Sequence, residues 1–291
     1  LNTRSVTVKL TDGQQNADIF EKLPYNITTD KNVSMASCGG KRVWCIEHAG
    51  SDVGGSAGIR ALYTFVTSAH SRKALLLSQT APRADTNITL SRSYNEALDP
   101  VLTKAKQALD YFLLVGPPGT GKTSMALRYL VEEQLKTCPN GKILLMAYTN
   151  RAVDEICGML AEAEINFIKI GNKLSCATAY EPYLLSSVVG SRPTLDHIRQ
   201  KLSETCVIVG TTSTIQSRDY IFNLCHFPLA IVDEASQILE PGIIGLLASH
   251  RGNQPTEGEP VCNIDKFILI GDYKQLPAVV QQNDNDSAVT N

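Results

Sequence analysis

The stretch FLLVGPPGTGKT, residues 112–123, decides how the rest of the chain is interpreted. An apolar run ends at Val115, and the residues after it fit the pattern G-x-x-x-x-G-K-[S/T]. Glycines in such a loop let backbone N–H groups close around phosphates, and the following helix directs its positive end at them. The pattern predicts a nucleotide-binding loop that consists of Gly116, Pro117, Pro118, Gly119, Thr120, Gly121, Lys122 and Thr123.

A second stretch supplies the acids that such a loop needs. LAIVDEASQ, residues 229–237, is an apolar run that ends in two carboxylates. We expect Lys122 to bridge the β- and γ-phosphates of ATP, and Thr123 and Asp233 to hold Mg²⁺. Glu234 is expected to orient and deprotonate the attacking water, which favours a hydrolase over a kinase. An apolar run ending in Asp-Glu is common by itself, so this interpretation depends on the loop before it.

A third stretch, FILIGDYKQLP at residues 267–277, is again an apolar run followed by a polar turn. At the carboxyl end of a strand, Gln275 could reach a γ-phosphate and respond to its presence. Considered alone, the segment is an ordinary turn. Together with the loop and the acids, it completes a predicted catalytic set of Lys122, Glu234 and Gln275.

Short apolar runs alternate with helical patterns from about residue 110 onward. Helical spacing is clear over Thr123–Leu135 and Ala152–Ala163. Strands that alternate with helices are typical of a parallel α/β sheet with helices on its faces. The predicted strands are Phe112–Val115, Ile143–Ala147, Phe167–Ile170, Cys206–Val209, Leu229–Val232 and Phe267–Ile270.

Composition limits the class of protein. The 291 residues are 43% hydrophobic with a net charge of -2, which indicates a globular chain and excludes a polycation that coats nucleic acid with its whole surface. No apolar run approaches the ~20 residues of a membrane-spanning helix. Eight cysteines without a C-x-x-C pair predict a reduced, intracellular protein. Cys38, Cys45 and His48 have ligand-like spacing but no obvious fourth partner, so we do not expect structural zinc.

The three motifs GPPGTGKT, VDEASQ and GDYKQLP, in this order, resemble the superfamily 1 helicases. The branch most similar to them contains the nonsense-mediated-decay RNA helicase and the Okazaki-fragment helicase–nuclease. AYTNRAVD at residues 147–154 looks like the family's motif Ia, and VGTTS at residues 209–213 resembles its motif Ic. The resemblance covers about residues 95–282.

This resemblance implies a RecA-like domain whose ATP hydrolysis is coupled to movement along single-stranded DNA or RNA. It also implies that Thr149, Asn150, Thr211 and Thr212 contact the strand, since hydroxyls, an amide and strand-end N–H groups bind phosphates without reading bases. The alternative for these residues is helix capping and turn formation. A non-helicase P-loop ATPase, acting as a switch or protein remodeller, is the alternative function.

The chain departs from the family pattern in two places. The family's adenine-reading glutamine is expected near Asp99, and no glutamine stands there. The second RecA-like domain is absent, so we expect a fragment that hydrolyses little ATP alone. The predicted organisation is a β-rich accessory region (a small barrel by analogy with the family), a helical stalk with a linker, the RecA-like ATPase domain and a polar tail. Their boundaries are 1–57, 58–94, 95–282 and 283–291.

Overall fold

The computed structural model describes residues 53–67, 71–117, 119–190, 193–218, 220–249 and 262–275. A six-stranded sheet in the order β1-β6-β5-β2-β4-β3 forms its centre. Every strand pair in it is parallel, which confirms the predicted fold class. The strands are β1 (Tyr111–Val115), β2 (Ile143–Ala147), β3 (Phe167–Ile170), β4 (Val207–Thr211), β5 (Phe227–Asp233) and β6 (Ile264–Gly271).

The strands form where the apolar runs predicted them, because both faces of the sheet are covered. Every residue of β2 and β4 is buried, as is typical of parallel strands packed between helices. The expected strand Cys206–Val209 instead begins at Val207 and continues to Thr211, since Gly210 and Thr211 pair with the last two residues of β2. This extension places Thr211 at the carboxyl end of the sheet.

Helices cover both faces of the sheet. The first residues of the predicted helix Thr123–Leu135 form a π-helical segment, Lys122–Leu127, in which the N–H groups of Met125 and Ala126 both donate to the Gly121 carbonyl. The α-helices are α1 (Val53–Thr67), α2 (Ser71–Leu76), α3 (Asp99–Gln107), α4 (Arg128–Thr137), α5 (Asn150–Glu162), α6 (Leu185–Val189), α7 (Leu195–Glu204), α8 (Thr212–Ser217), α9 (Tyr220–Leu224) and α10 (Ile244–Leu247).

Two apolar cores result, one on each face. Helices α3, α4 and α5 pack on one face against strand residues such as Leu145 and Ile231. Helices α6 to α10 pack on the other face against residues such as Met146 and Val232. Side chains of neighbouring strand residues therefore alternate between the cores, and the polar strand ends are left at the sheet's edges.

Helix α1 lies against the second of these helical layers. A Cβ on Gly245 would lie 2.4 Å from the Ala61 Cβ, so only glycine allows α10 to approach α1 this closely. The helix begins at Val53, a few residues before the boundary expected at 58. The domain boundaries drawn from the sequence otherwise stay predictions.

Two buried carboxylates hold the segment between α2 and α3: Asp110 binds Arg83, and Glu133 binds residues nearer to α3. Glu133 of α4 is 4% exposed and accepts hydrogen bonds from Ser91, Tyr94 and Lys106. Burial alone would raise the pKa of Glu133, but these donors lower it to about 2. The predicted linker is therefore joined to the ATPase domain by the hydrogen bonds that Ser91 and Tyr94 donate to Glu133, whereas the ion pair with Lys106 links α4 to α3.

Some sequence predictions fall on other parts of the chain. The β-rich region up to residue 52, the candidate zinc ligands Cys38, Cys45 and His48, and the polar tail 283–291 lie outside the described residues. Among the described residues, no group of three or more His, Cys, Asp or Glu side chains is placed to hold a metal ion. The described helices include none that is long and apolar enough to cross a membrane.

Candidate functional site

The candidate residues gather at the carboxyl edge of the sheet. The register pairs Val115 of β1 with Gly271 of β6, and Ala147 of β2 with both Asp233 of β5 and Thr211 of β4. The segments that follow these strand ends therefore lie side by side along one edge. In open parallel sheets this edge is where ligands bind.

The glycine-rich loop curls around the amine of its own lysine. Gly119 and Gly121 both have φ of +77°, a conformation that favours glycine. Lys122 Nζ donates hydrogen bonds to the carbonyls of Gly116 and Pro117. The charge of Lys122 thus lies inside the loop, next to the segment where the following helix begins.

A direct hydrogen bond joins the loop to the acid-bearing strand. Thr123 Oγ1 donates to Asp233 Oδ2 over 2.6 Å, and the other carboxylate oxygen accepts the N–H of Glu234. Asp233 is 2% exposed, and this burial raises the pKa of its carboxyl. A hydroxyl and a buried carboxylate in contact are hard oxygen donors of the kind that Mg²⁺ prefers, so the pair fits a divalent cation.

Glu234 is held in a backbone conformation that is rare for its residue type. Its φ is +51°, and Gln237 Nε2 donates to its carboxylate over 3.2 Å. Burial and the adjacent charge of Asp233 raise the pKa of Glu234. Backbone strain and a raised carboxyl pKa occur together at many catalytic sites.

The third motif touches the second through Ser236. The N–H of Asp272 donates to Ser236 Oγ over 3.3 Å, and Gln275 closes a turn by donating its N–H to the Asp272 carbonyl. A Cβ on Gly271 would lie 3.1 Å from the Ser236 nitrogen, so glycine permits this approach. The structure therefore places the loop, the acid pair and the Gln275 turn at one edge of the sheet.

Sequence reasoning gave no role to Ser236 or to the side chain of Gln237. Gln237 belongs to the matched motif VDEASQ, which was a usable signal. The contact between Ser236 and Asp272 joins residues 36 positions apart, and no local pattern indicates it.

The four candidate strand contacts lie at neighbouring strand ends but differ in exposure. Thr149 and Asn150 are exposed, whereas Thr211 and Thr212 are buried. Thr149 Oγ1 accepts the Ala152 N–H, and Thr211 Oγ1 accepts the Thr214 N–H. Both threonines cap the helix that follows, which is the alternative that the sequence left open.

The side chain of Asp99, near the position expected for an adenine-reading glutamine, already forms hydrogen bonds within the chain. Its carboxylate accepts hydrogen bonds from Ser93 Oγ and from the N–H groups of Tyr94 and Asn95. These bonds lower the pKa of the Asp99 carboxyl. The side chain therefore organises the start of α3.

Comparison with known proteins gives matches over the same residues. A family model described as "AAA domain" matches residues 89–197 and 190–283. The DNA replication ATP-dependent helicase/nuclease JHS1 of Arabidopsis thaliana is 28% identical over 231 residues, which are 76% of this chain and 16% of that protein. The DNA replication ATP-dependent helicase/nuclease DNA2 of Saccharomyces cerevisiae is 32% identical over 203 residues, 69% of this chain and 11% of that protein.

The chain thus spans well under a fifth of the length of these relatives. Among solved structures, the SWI2/SNF2 ATPase core of Sulfolobus solfataricus in complex with dsDNA matches with a TM-score of 0.41 and 12% identity. That match covers 66% of this chain and 33% of the other.

Proposed function

Because the chain belongs to the AAA domain family and is a motor domain of the superfamily 1 helicases, in the Okazaki-fragment helicase–nuclease branch, we propose that it binds ATP and Mg²⁺ at the carboxyl edge of its sheet. The observation that carries the proposal is the 2.6 Å contact between Thr123 and Asp233, which joins the phosphate loop to the acid strand. The relatives named above belong to the Okazaki-fragment branch, and membership of the RNA-surveillance branch stays a prediction.

We assign the residues of the site as follows. Lys122 exchanges the carbonyls of its own loop for phosphate oxygens, and backbone N–H groups of the loop hold the remaining phosphate charge. Thr123 and Asp233 supply oxygen ligands to Mg²⁺, whose charge offsets that of the phosphates. Glu234 accepts the proton of the attacking water, and Gln275 responds to the γ-phosphate.

We propose single-stranded DNA as the nucleic acid, because both relatives are named for DNA replication. Their role also supports an intracellular location. Thr149 and Asn150 are exposed and are the proposed contacts. Thr211 and Thr212 are buried, so in this conformation their side chains are not accessible to DNA. A comparison of the chain's affinities for single-stranded DNA and single-stranded RNA tests this choice, and tighter binding of RNA is the alternative outcome.

Hydrolysis and movement along a strand need a second RecA-like domain. The relatives are much longer than this chain, which supports a larger helicase as the working enzyme. Charge supplied across a cleft between two domains is what drives phosphoryl transfer in such motors. The chain alone is therefore proposed to bind nucleotide and to turn it over slowly.

Titration of the chain with a fluorescent ATP analogue and Mg²⁺ tests the pocket. Lys122→Ala removes a charged hydrogen-bond donor and is expected to weaken binding about 10- to 100-fold. Lys104→Ala, an exposed lysine of α3, is the matched control and is expected to bind as the unaltered chain does. Equal binding by the Lys122→Ala chain would refute the assigned pocket.

The alternative that the sequence left open, a non-helicase ATPase that acts as a switch or protein remodeller, can be tested beside the helicase. The ATPase activity of the full-length protein distinguishes the two functions. Single-stranded DNA is expected to stimulate the ATPase of a helicase, whereas the turnover of a switch or protein remodeller would be indifferent to added DNA and RNA.

A further inference from the structure

A buried lysine lies at the far end of the sheet from the phosphate loop. Lys169 occupies the third position of β3, and its side chain is only 2% exposed. Its amine donates to Asp154 Oδ1 on α5 and lies 3.1 Å from the sulfur of Cys176. The proposed nucleotide chemistry makes no use of this cluster.

Three hydrogen bonds hold the cluster together: two are made by the amine of Lys169 and one is accepted by Asp154. The second carboxylate oxygen of Asp154 accepts the N–H of Ala177, which anchors the residue next to Cys176. Burial would lower the pKa of Lys169, but hydrogen bonds to Asp154 and Cys176 raise it, so the amine is charged at neutral pH. A cation beside the sulfur stabilises the negative charge that develops on the departing peroxide oxygen when the sulfur attacks.

Two other cysteines that the structure describes, Cys157 and Cys206, have different settings and offer internal controls. Cys157, one turn after Asp154 on α5, is fully buried, and burial raises its pKa to about 12. Its thiol therefore stays protonated and unreactive. Cys206 is half-buried like Cys176, and the sulfur of each contacts a backbone carbonyl, that of Pro139 for Cys206 and that of Ala177 for Cys176. Cys176 combines partial exposure with a lysine in contact.

We propose that Lys169 and Cys176 form an oxidative cross-linking site, at which hydrogen peroxide joins the lysine nitrogen directly to the cysteine sulfur. In the first step the sulfur attacks the peroxide: an S–O bond forms, the O–O bond breaks and water leaves, which gives a sulfenic acid. In the second step the ammonium of Lys169 passes one proton to Asp154 and the freed amine attacks that sulfur. An S–N bond forms as the S–O bond breaks, and the departing hydroxyl takes a second proton from the amine and leaves as water.

The balance of the reaction defines its product. One peroxide is reduced to two waters, and the thiol and amine together lose two hydrogens. The sulfenamide formed has the same bond that sulfenic acids make with backbone nitrogens. Because the product carries no positive charge, the ion pair between Lys169 and Asp154 is lost, and β3 becomes covalently tied to the segment that begins at Asn172.

Mass spectrometry of the whole chain after exposure to hydrogen peroxide tests the site. We expect a product lighter by two hydrogens, a cross-linked peptide that contains Lys169 and Cys176, and return to the starting mass with a thiol reductant. Cys157→Ser should leave the product unchanged, which excludes a disulfide between Cys157 and Cys176. Cys206→Ser is the matched half-buried control and should also have no effect.

The lysine's part is measured by trapping the intermediate. In Lys169→Arg, which keeps the charge, dimedone should capture more sulfenic acid at Cys176 than in the unaltered chain. Peptide mapping of the unaltered chain decides the matter if that variant does not fold. A cross-link that retains an oxygen atom, oxidation of Cys176 without a link, or preferential oxidation of Cys206 would each overturn the proposal.

Discussion

The two halves of the sheet's carboxyl edge are built on different principles. On the half formed by β1, β6 and β5, charged groups crowd together: burial raises the pKa of Asp233 and Glu234, and the backbone of Glu234 is in a left-handed conformation. On the half formed by β2, β4 and β3, polar groups are satisfied within the chain. Thr149 and Thr211 cap helices, and Lys169 is paired with Asp154.

This difference indicates where each half obtains its binding energy. Like charges held together are costly unless a ligand neutralises them, and such sites are typical of catalysis. The first half is therefore where we propose that a cation and phosphates bind. In the second half, the threonine side chains already form hydrogen bonds with the helices that follow them. Binding of a nucleic-acid strand there therefore depends on exposed groups such as Asn150 and on backbone N–H groups.

The largest expected effect follows from replacing the proposed base. Glu234→Gln in the full-length protein should reduce ATP turnover about 100- to 10,000-fold, because proton transfer from water loses its acceptor. Nucleotide binding, measured with the fluorescent analogue, should be retained. Glu240→Gln, an exposed acid nearby, is the control. Unchanged turnover in Glu234→Gln would remove the functional distinction between the two halves.

The second prediction concerns the anchor of the linker. In the folded chain the pKa of Glu133 is lowered from 4.5 to about 2, so its contribution is complete above pH 4.5 and is lost as the pH falls through 2. Glu133→Gln should therefore cost about 3 kcal/mol of unfolding free energy at pH 7. Urea titrations of both chains should converge as the pH is lowered from 4.5 toward 2.

Glu132→Gln is the neighbouring control for that experiment. Glu132 pairs with the more exposed arginines Arg92 and Arg128, and surface pairs contribute at most about 1 kcal/mol. An equal loss in both variants, or a difference for Glu133→Gln that does not depend on pH, would contradict the role of the buried carboxylate.

The third prediction distinguishes two costs of placing a Cβ in the phosphate loop: the strain of a left-handed backbone and the close contact with a neighbouring side chain. Gly119 and Gly121 have the same φ of +77°, but a Cβ on Gly119 would meet open space, whereas one on Gly121 would lie 3.1 Å from Met125 Sδ. Replacement of either by alanine should cost about 1–2 kcal/mol for the left-handed conformation. Gly121→Ala should cost more, as measured by urea unfolding; equal losses would mean that the contact is irrelevant.

The sequence predicted the arrangement of the first half, formed by β1, β6 and β5, more fully than that of the second half. The loop and the Asp-Glu pair lie directly after apolar runs, and parallel strands bring such ends to one edge, so short patterns were enough. The contact of Ser236 with Asp272 and the pairing of Lys169 with Asp154 and Cys176 depend on segments that meet only in the folded chain. The burial of Thr211 required knowing that β4 extends beyond Val209.

The smallest expected effect tests the second half directly. Thr149→Ala and Thr211→Ala each remove a helix cap and should each cost about 1 kcal/mol of unfolding free energy. Only Thr149→Ala should also weaken binding of fluorescent single-stranded DNA, because Thr149 is exposed and Thr211 is 5% exposed. Serine at either position keeps the hydroxyl and should restore stability.

The binding measurement decides what these threonines do. If Thr211→Ala weakens strand binding while Thr211→Ser does not, α8 must move to expose that hydroxyl when a strand binds. If neither alanine variant affects strand binding, capping is the whole role of both side chains. The strand would then have to be held by backbone N–H groups and Asn150, which would make the contrast between the two halves sharper still.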